Sequence, residues 1–237
     1  VMNAHKIQSG RQVSLTNQSK DFFFLPREDA KHIYNNIVQL VTDKMPRYTG
    51  AQPYDIQVLT PMKKGALGAV TLNRILQEYV NPPAPEKKEY VFGEKLLREG
   101  DKVMQVKNNY KLEWEIVGKY NITIEKGLGV FNGDVGRVIS INEYARQIKV
   151  EYEEGRFVLY SFDNTEELEL AYAMTIHKAQ GSEYPAVVIP LLGVPKLLLY
   201  RNLLYTAVTR AVKCVTIIGT RESVEEMIAN ENVQTRY

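Results

Sequence analysis

Between Ala173 and Pro185 the sequence reads Ala-Met-Thr-Ile-His-Lys-Ala-Gln-Gly-Ser-Glu-Tyr-Pro, which gathers the hydroxyl of Thr175, the imidazole of His177, the carboxamide of Gln180, Gly181 and the carboxylate of Glu183. A glycine admits a phosphate close to the backbone, and amides, hydroxyls and carboxylates supply hydrogen bonds around it. Further on, Arg201-Asn202-Leu203-Leu204-Tyr205-Thr206-Ala207-Val208-Thr209-Arg210-Ala211 sets Arg210 at the end of a helical run. A guanidinium is planar, permanently charged and forked, which suits the oxygens of a phosphoryl group in transfer. Plainer explanations exist for each: a glycine-capped helix end for Gln180-Gly181-Ser182, a structural histidine for His177, and for Arg210 a last-turn arginine reaching solvent and complementing the helix dipole.

Two further stretches carry groups for a polyanion. Thr60, Lys63, Lys64 and Gly65 follow directly on the apolar run Gln57-Val58-Leu59, which is where a phosphate backbone would meet the carboxyl edge of a parallel sheet; a solvated basic turn is the alternative. Asn108-Asn109-Tyr110, Trp114 and Phe131 offer amides and rings on which bases stack, although Trp114 and Phe131 also read as core.

These groups need elements to position them. Short apolar runs at Asp21–Leu25 and Asp55–Leu59 alternate with helical stripes, Ile33, Ile37, Leu40 and Val41 within Glu28–Lys44, then Leu72, Ile75, Leu76 and Tyr79. Alternating strands and helices imply a parallel sheet. The Asn81-Pro82-Pro83-Ala84-Pro85 run breaks this rhythm, and from Gly100 to Phe162 the segments are short, alternating and turn-punctuated: Lys102–Lys107, Val135–Ile141, Gln147–Tyr152 and Arg156–Phe162. Asn132-Gly133-Asp134 and Glu154-Gly155 supply tight turns, and about five such strands close naturally into a small antiparallel β-barrel. From Ala171 the α/β rhythm returns, with a strand at Ala186–Leu191, a helix over Leu197–Ala211, a strand at Lys213–Gly219 and a helix at Ser223–Ala229. The expected fold class is therefore α/β, with one discontinuous domain over 1–85 and 165–237 and a barrel inserted at 86–164.

Composition excludes much. With 44% hydrophobic and 24% charged residues the chain is neither disordered nor collagenous. Thirty basic against 28 acidic residues leave a net +2, so net charge alone does not identify a nucleic-acid binder. Cys214 is the single cysteine, set in an apolar run, which rules out an internal disulfide and fits a cytoplasmic location. The apolar stretch Val187–Tyr200 is interrupted by Pro190, Pro195 and Lys196, short of the roughly 20 residues of a membrane span. His5, His32 and His177 are scattered among no clustered cysteines or acids, so no metal site is expected.

Taken in order and spacing, Ala173–Pro185 resembles motif V, and Arg201–Ala211 motif VI, of superfamily 1 DNA helicases of the RecD/TraA type. Gln57–Gly65, Leu72-Asn73, Gly100-Asp101-Lys102-Val103-Met104-Gln105 and Val130-Phe131-Asn132-Gly133-Asp134-Val135-Gly136 are similar to the same family, so the resemblance covers nearly the whole chain. It implies a second RecA-like motor domain carrying a Src-homology-3-like barrel, 5′ to 3′ translocation, and single-stranded DNA as partner. Arg210 would be the arginine finger; Gln180, Gly181, Glu183 and Arg210 the ATP-side residues; and Thr60, Lys63, Thr175, His177, Asn108 and Tyr110 the DNA-side residues.

The family's nucleotide-holding parts are absent from this sequence. The only Gly-Lys pair, Gly118-Lys119, is followed by Tyr120 and preceded by Glu113 where a P-loop needs glycine, and no Asp-Glu pair occurs. ATP and Mg²⁺ are accordingly expected to be held mainly by an N-terminal RecA-like domain of the same parent, which could act alone, within a recombination complex or in conjugation. The start at Val1–Lys6 reads like the middle of a helix, in line with a piece of a longer chain whose motif IV lies upstream. The rival expectations are a non-catalytic DNA-binding or regulatory module with degenerate motor motifs, or a different P-loop ATPase scaffold. The segment Lys111–Val130 departs from the family's usual short passage from Asn-Asn-Tyr to Phe-Asn-Gly.

Overall fold

A computed structural model describes residues 2–231, which separate into two compact units: the residues up to Val80 together with those from Tyr172 onward, and Asn81–Ala171. The first unit opens with α1 (Met2–Gln8), β1 (Phe22–Pro26) and α2 (Ala30–Gln39). Asp29 caps α2, its carboxylate accepting from the amides of Lys31 and His32 at 2.6 and 3.2 Å, and Ile33 and Ile37 face the core. The expected end at Lys44 is overrun: one π turn, Leu40–Lys44, leads into α3 (Met45–Thr49). Pro46 lies just after the π turn, and Gly50 closes α3 at φ 76°.

Next come β2 (Gln57–Thr60), buried along its whole length, and α4 (Ala69–Val80). The α4 stripe differs from expectation. Tyr79 is exposed, and Asn73 and Gln77 join Leu72 and Leu76 in the interior. Asn73 tolerates burial because both ends of its amide are bonded: Nδ2 donates to the Ala173 carbonyl at 2.9 Å and Oδ1 accepts from the Ala173 amide at 2.7 Å.

The second unit holds β3 (Glu89–Phe92), β4 (Lys95–Arg98), β5 (Lys102–Gln105), β6 (Asn109–Val117), β7 (Thr123–Val130), β8 (Val135–Asn142), β9 (Gln147–Tyr152), β10 (Arg156–Ser161) and β11 (Leu168–Leu170). In place of about five strands there are seven in one sheet, ordered β11-β5-β8-β9-β10-β6-β7, and a separate hairpin β3-β4. The surplus is mainly the Lys111–Val130 segment, which forms the β6–β7 hairpin. Alternation along β8 and β9 sends Val138, Ile141, Ile148 and Val150 into a core shared with Leu97, Val103, Val158 and Tyr160. The edges of this unit lie outside the expected 86–164: Asn81 donates its amide to Asp101, and β11 pairs antiparallel with β5, so both segments are bound to the sheet.

The chain re-enters the first unit through β12 (Ala173–Thr175), a 3₁₀ turn at Ile176–Ala179, β13 (Tyr184–Leu191), α5 (Arg201–Val208), β14 (Ala211–Gly219) and α6 (Arg221–Ala229). The five strands run in the order β1-β14-β13-β2-β12, and every neighbouring pair is parallel. Such a sheet is buried on both faces, which is why Ala186–Leu191 and Cys214–Gly219 are continuously buried. Helix α5 is shorter than the expected Leu197–Ala211: Tyr200 is extended at φ −132° and Thr209 ends the helix. Among the described residues no helix is long and apolar enough to cross a membrane.

Candidate functional site

An all-parallel sheet has two chemically distinct ends, and the first unit places candidate residues at both. At the carboxyl end, Thr60 and Thr175 close β2 and β12 as register partners. The loop after Thr60 is tightly held: the amides of Gly68, Ala69 and Val70 bond to the carbonyls of Gly65, Met62 and Lys63. Lys63 is displayed on its exposed rim. Thr60 is different. It is fully buried, and its hydroxyl donates to the Leu67 carbonyl at 2.7 Å while accepting from the Met62 amide at 3.3 Å. The expectation of a direct DNA contact at Thr60 is corrected accordingly, since its hydroxyl shapes the loop that carries Lys63. Thr175 is half-buried at the start of the 3₁₀ turn, and His177, within that turn, lies with Nε2 3.1 Å from the Tyr200 hydroxyl.

The segment 176–183 carries the chain from that end of the sheet to the other. Gln180 leaves the 3₁₀ turn at φ −57° and ψ 129°, and Gly181 is exposed at φ 84° with nothing within 4 Å of where a side chain would begin. That φ is the left-handed region that glycine alone enters freely. Ser182 closes the bend through its amide to the Ala179 carbonyl at 3.1 Å, and Glu183 stands exposed just before β13.

Arg210 meets this bend from α5. Its Nη1 donates to the Ser182 carbonyl at 3.2 Å, Nη2 lies 3.5 Å from Thr209 Oγ1, and its own carbonyl accepts from the Tyr184 amide at 2.9 Å. Its Nε is buried and has no hydrogen-bond partner. A buried donor left unmade costs about 1–3 kcal/mol. Thus Arg210, 28 residues from Ser182 in sequence, meets the backbone of the 182–184 bend, which follows Gly181 and includes Glu183, at the amino end of β13 and β14. Beside them a recess of about 360 Å³ is lined by Gly50, Ala51, Glu183, Tyr184, Pro185, Val212 and Lys213.

Residue types and spacing did not single out Asn73 or Thr209 for a role. Asn73 pins Ala173 and so the edge strand leading to Thr175; a lone asparagine on an apolar stripe was the available signal. The Thr209 hydroxyl donates back to the Tyr205 carbonyl at 2.8 Å and meets Arg210 with its oxygen.

In the second unit, Asn108 immediately precedes β6 and Tyr110 is its second residue. Asn108 accepts from the Asn132 amide at 2.9 Å, and Tyr110 is exposed, its ring 5.7 Å from Phe131 in an edge contact. Between them Asn109 donates to Glu167, which accepts from Gln105 Nε2 at 2.7 Å; Gln105 in turn accepts from the buried Tyr160 hydroxyl at 2.8 Å, beside Tyr152. Trp114 packs against the core and lies across Gly127, whose missing side chain is what admits the indole.

Residues 72–152 match the family model described as the ATP-dependent RecD-like DNA helicase SH3 domain, and residues 170–218 match the UvrD-like helicase C-terminal domain. The ATP-dependent RecD2 DNA helicase of Deinococcus radiodurans is 38% identical over 159 residues, 67% of this chain and 19% of that protein. The RecBCD enzyme subunit RecD of Mycolicibacterium smegmatis is 34% identical over 108 residues, 46% of this chain and 19% of that protein. This chain therefore spans about a fifth of the length of these relatives. A solved Pif1 helicase from Bacteroides, in complex with ADP-AlF3 and ssDNA, is 16% identical over 95% of this chain and 50% of its own, with a TM-score of 0.49, too loose a likeness to place individual residues. The two matched domains and the RecD2 and RecD relatives together make this chain a member of the RecD-like DNA helicases, from their C-terminal portion.

Proposed function

We propose that the chain is the C-terminal motor part of an ATP-dependent DNA helicase translocating 5′ to 3′, with a RecA-like unit that lacks a P-loop and an inserted Src-homology-3-like barrel. The observation that carries this reading is Arg210, pinned to the Gly181 bend by Nη1 while its buried Nε keeps an unused donor. Arg210, Gln180, Gly181 and Glu183 would line one side of an ATP site, Arg210 setting positive charge beside the transferring phosphoryl group and Glu183 accepting at the sugar edge. ATP, when bound, supplies the phosphoryl group whose transfer to water drives the motor. For Mg²⁺ the fit is poor: among the described residues no group of three or more His, Cys, Asp and Glu converges, and the acidic pair would belong to the N-terminal half of the parent.

Lys63, Thr175 and His177 would contact single-stranded DNA at the carboxyl end of the sheet, and Asn108 and Tyr110 from the barrel. Lys63 would neutralise phosphates, while the exposed Tyr110 offers a stacking face. A cytoplasmic parent acting in repair or recombination fits this reading.

Arg210→Lys in the full-length protein tests it. Lysine keeps the charge but loses the fork and the Nε donor. An arginine finger is worth roughly 10³ to 10⁵ in rate, so DNA-stimulated ATPase and unwinding should nearly vanish while nucleotide-free DNA binding and folding stay near wild type. A loss below about tenfold, or a parallel collapse of DNA binding, would show that Arg210 has another task.

A further inference from the structure

Two hydrogen bonds fasten the segment 176–183 to opposite ends of α5. At one end the Tyr200 hydroxyl is 3.1 Å from His177 Nε2, and Tyr200 is the residue that opens α5, its carbonyl accepting from the Leu203 amide at 3.2 Å. At the other end Arg210, separated from the last helical residue by Thr209 alone, donates to the Ser182 carbonyl at 3.2 Å. The turn from His177 to Ser182 and the helix from Tyr200 to Arg210 thus form a closed frame.

The two sides of this frame differ in stiffness. Helix α5 has 8 residues, about 12 Å at 1.5 Å per residue, and it buries Leu203, Leu204, Ala207 and Val208 against the rest of the unit, so it shifts as a body. The Gly181 bend, exposed and uncrowded, is the side that gives. A displacement of the His177 ring is therefore delivered along α5 to the guanidinium that closes the frame.

We infer that Tyr200 is a positioning residue that couples occupancy of the DNA side of this unit to the pose of Arg210. The inference rests on the proposed reading, in which His177 faces DNA and Arg210 faces the nucleotide. A strand that takes over the hydrogen bond of His177, or turns its ring, breaks or re-forms the link to Tyr200. Because two sites that bias one element are thermodynamically linked, nucleotide must in turn alter DNA affinity through the same hydroxyl. Such linkages are typically worth about 5- to 150-fold.

The test is Tyr200→Phe in the full-length protein, which removes one oxygen and keeps the ring. ATP turnover is measured without DNA and with saturating oligothymidylate, and oligothymidylate affinity with and without a non-hydrolysable ATP analogue. Expected are basal turnover and nucleotide-free DNA affinity within about twofold of wild type, DNA stimulation reduced at least about fivefold, and a weakened effect of nucleotide on DNA affinity. In a double-mutant cycle, His177→Gln and Tyr200→Phe should be non-additive in DNA stimulation. A stimulation loss smaller than fivefold, additive effects, or a parallel fall of basal turnover would overturn the coupling while leaving the helicase reading intact. A wild-type protein without DNA-stimulated turnover would bring down that reading and the coupling with it.

Discussion

Asn73 and Ala173 exchange two hydrogen bonds, amide to carbonyl at 2.9 Å and amide to carboxamide oxygen at 2.7 Å, across 100 residues of sequence. The side chain takes the place of a neighbouring strand on the outer side of β12, the last strand of the sheet. Asn73→Leu would leave both backbone groups of a buried residue unpaired, at a cost of about 1–3 kcal/mol each. The expected outcome is a lower urea midpoint and faster amide exchange at Ala173, Met174 and Thr175. An unchanged exchange rate there would show that β12 does not depend on Asn73.

Gly127 lies under the only tryptophan of the chain, and a Cβ added there would fall 2.2 Å from the Trp114 ring. Gly127→Val must therefore push the indole off the hairpin, at about 1–3 kcal/mol for a crowded site. Red-shifted tryptophan emission and a lower melting temperature are expected. Emission identical to wild type would mean that the ring does not rest on this glycine.

Burial raises the phenols of both Tyr152 and Tyr160 above the ordinary value of 10.0, and in Tyr160 the neighbouring Tyr152 adds to the effect. Above about pH 10 the unfolded chain loses these protons while the folded one keeps them, so the folded state binds more protons and stability falls as pH rises. Denaturation midpoints should decline between about pH 9 and pH 11, and less so in Tyr152→Phe/Tyr160→Phe. Equal slopes in the two proteins would contradict this.

At the acid end Asp29 behaves oppositely. The amides of His32 and Lys31 hold its carboxyl below the ordinary 3.8. Its contribution is complete above the unfolded value and fades as pH falls through the folded one. Asp29→Asn keeps an N-cap acceptor but cannot titrate, so it should match wild type at neutral pH and lose part of the acid dependence. A variant whose acid limb overlays that of wild type would remove Asp29 from the account.

Much of the first unit was legible in the sequence because its signals are local. The apolar runs of β2, β13 and β14 each depend on a few neighbouring residues. What stayed hidden depends on pairing across long separations. The Asn73–Ala173 exchange made Asn73 a core residue and left Tyr79 to solvent, and the enclosure of Thr60 comes from a carbonyl seven residues on. In the second unit the turns were legible, but the seven-stranded order was not, because Lys111–Val130 lacks the Asn-Gly or Asp-Gly turn that marks a hairpin; its tip instead uses Tyr120 and Asn121 at positive φ. The meeting of Arg210 with the Ser182 carbonyl could be expected only from the ordering of motifs, since nothing in the local chemistry of either residue points to the other.

The β6–β7 hairpin stands at one end of its sheet: β7 pairs only with β6, and β6 meets β10 through just Arg156, Phe157 and Val158. A ladder tolerates change best at its last rungs, where trimming the hairpin would unpair only Arg156, Phe157 and Val158 of β10. The remaining order β11-β5-β8-β9-β10 would survive a shorter or longer hairpin, so the fold has a built-in site for variation in length. Selection can lengthen, trim or re-surface this arm while the Asn109–Glu167–Gln105–Tyr160 relay at its root stays as it is.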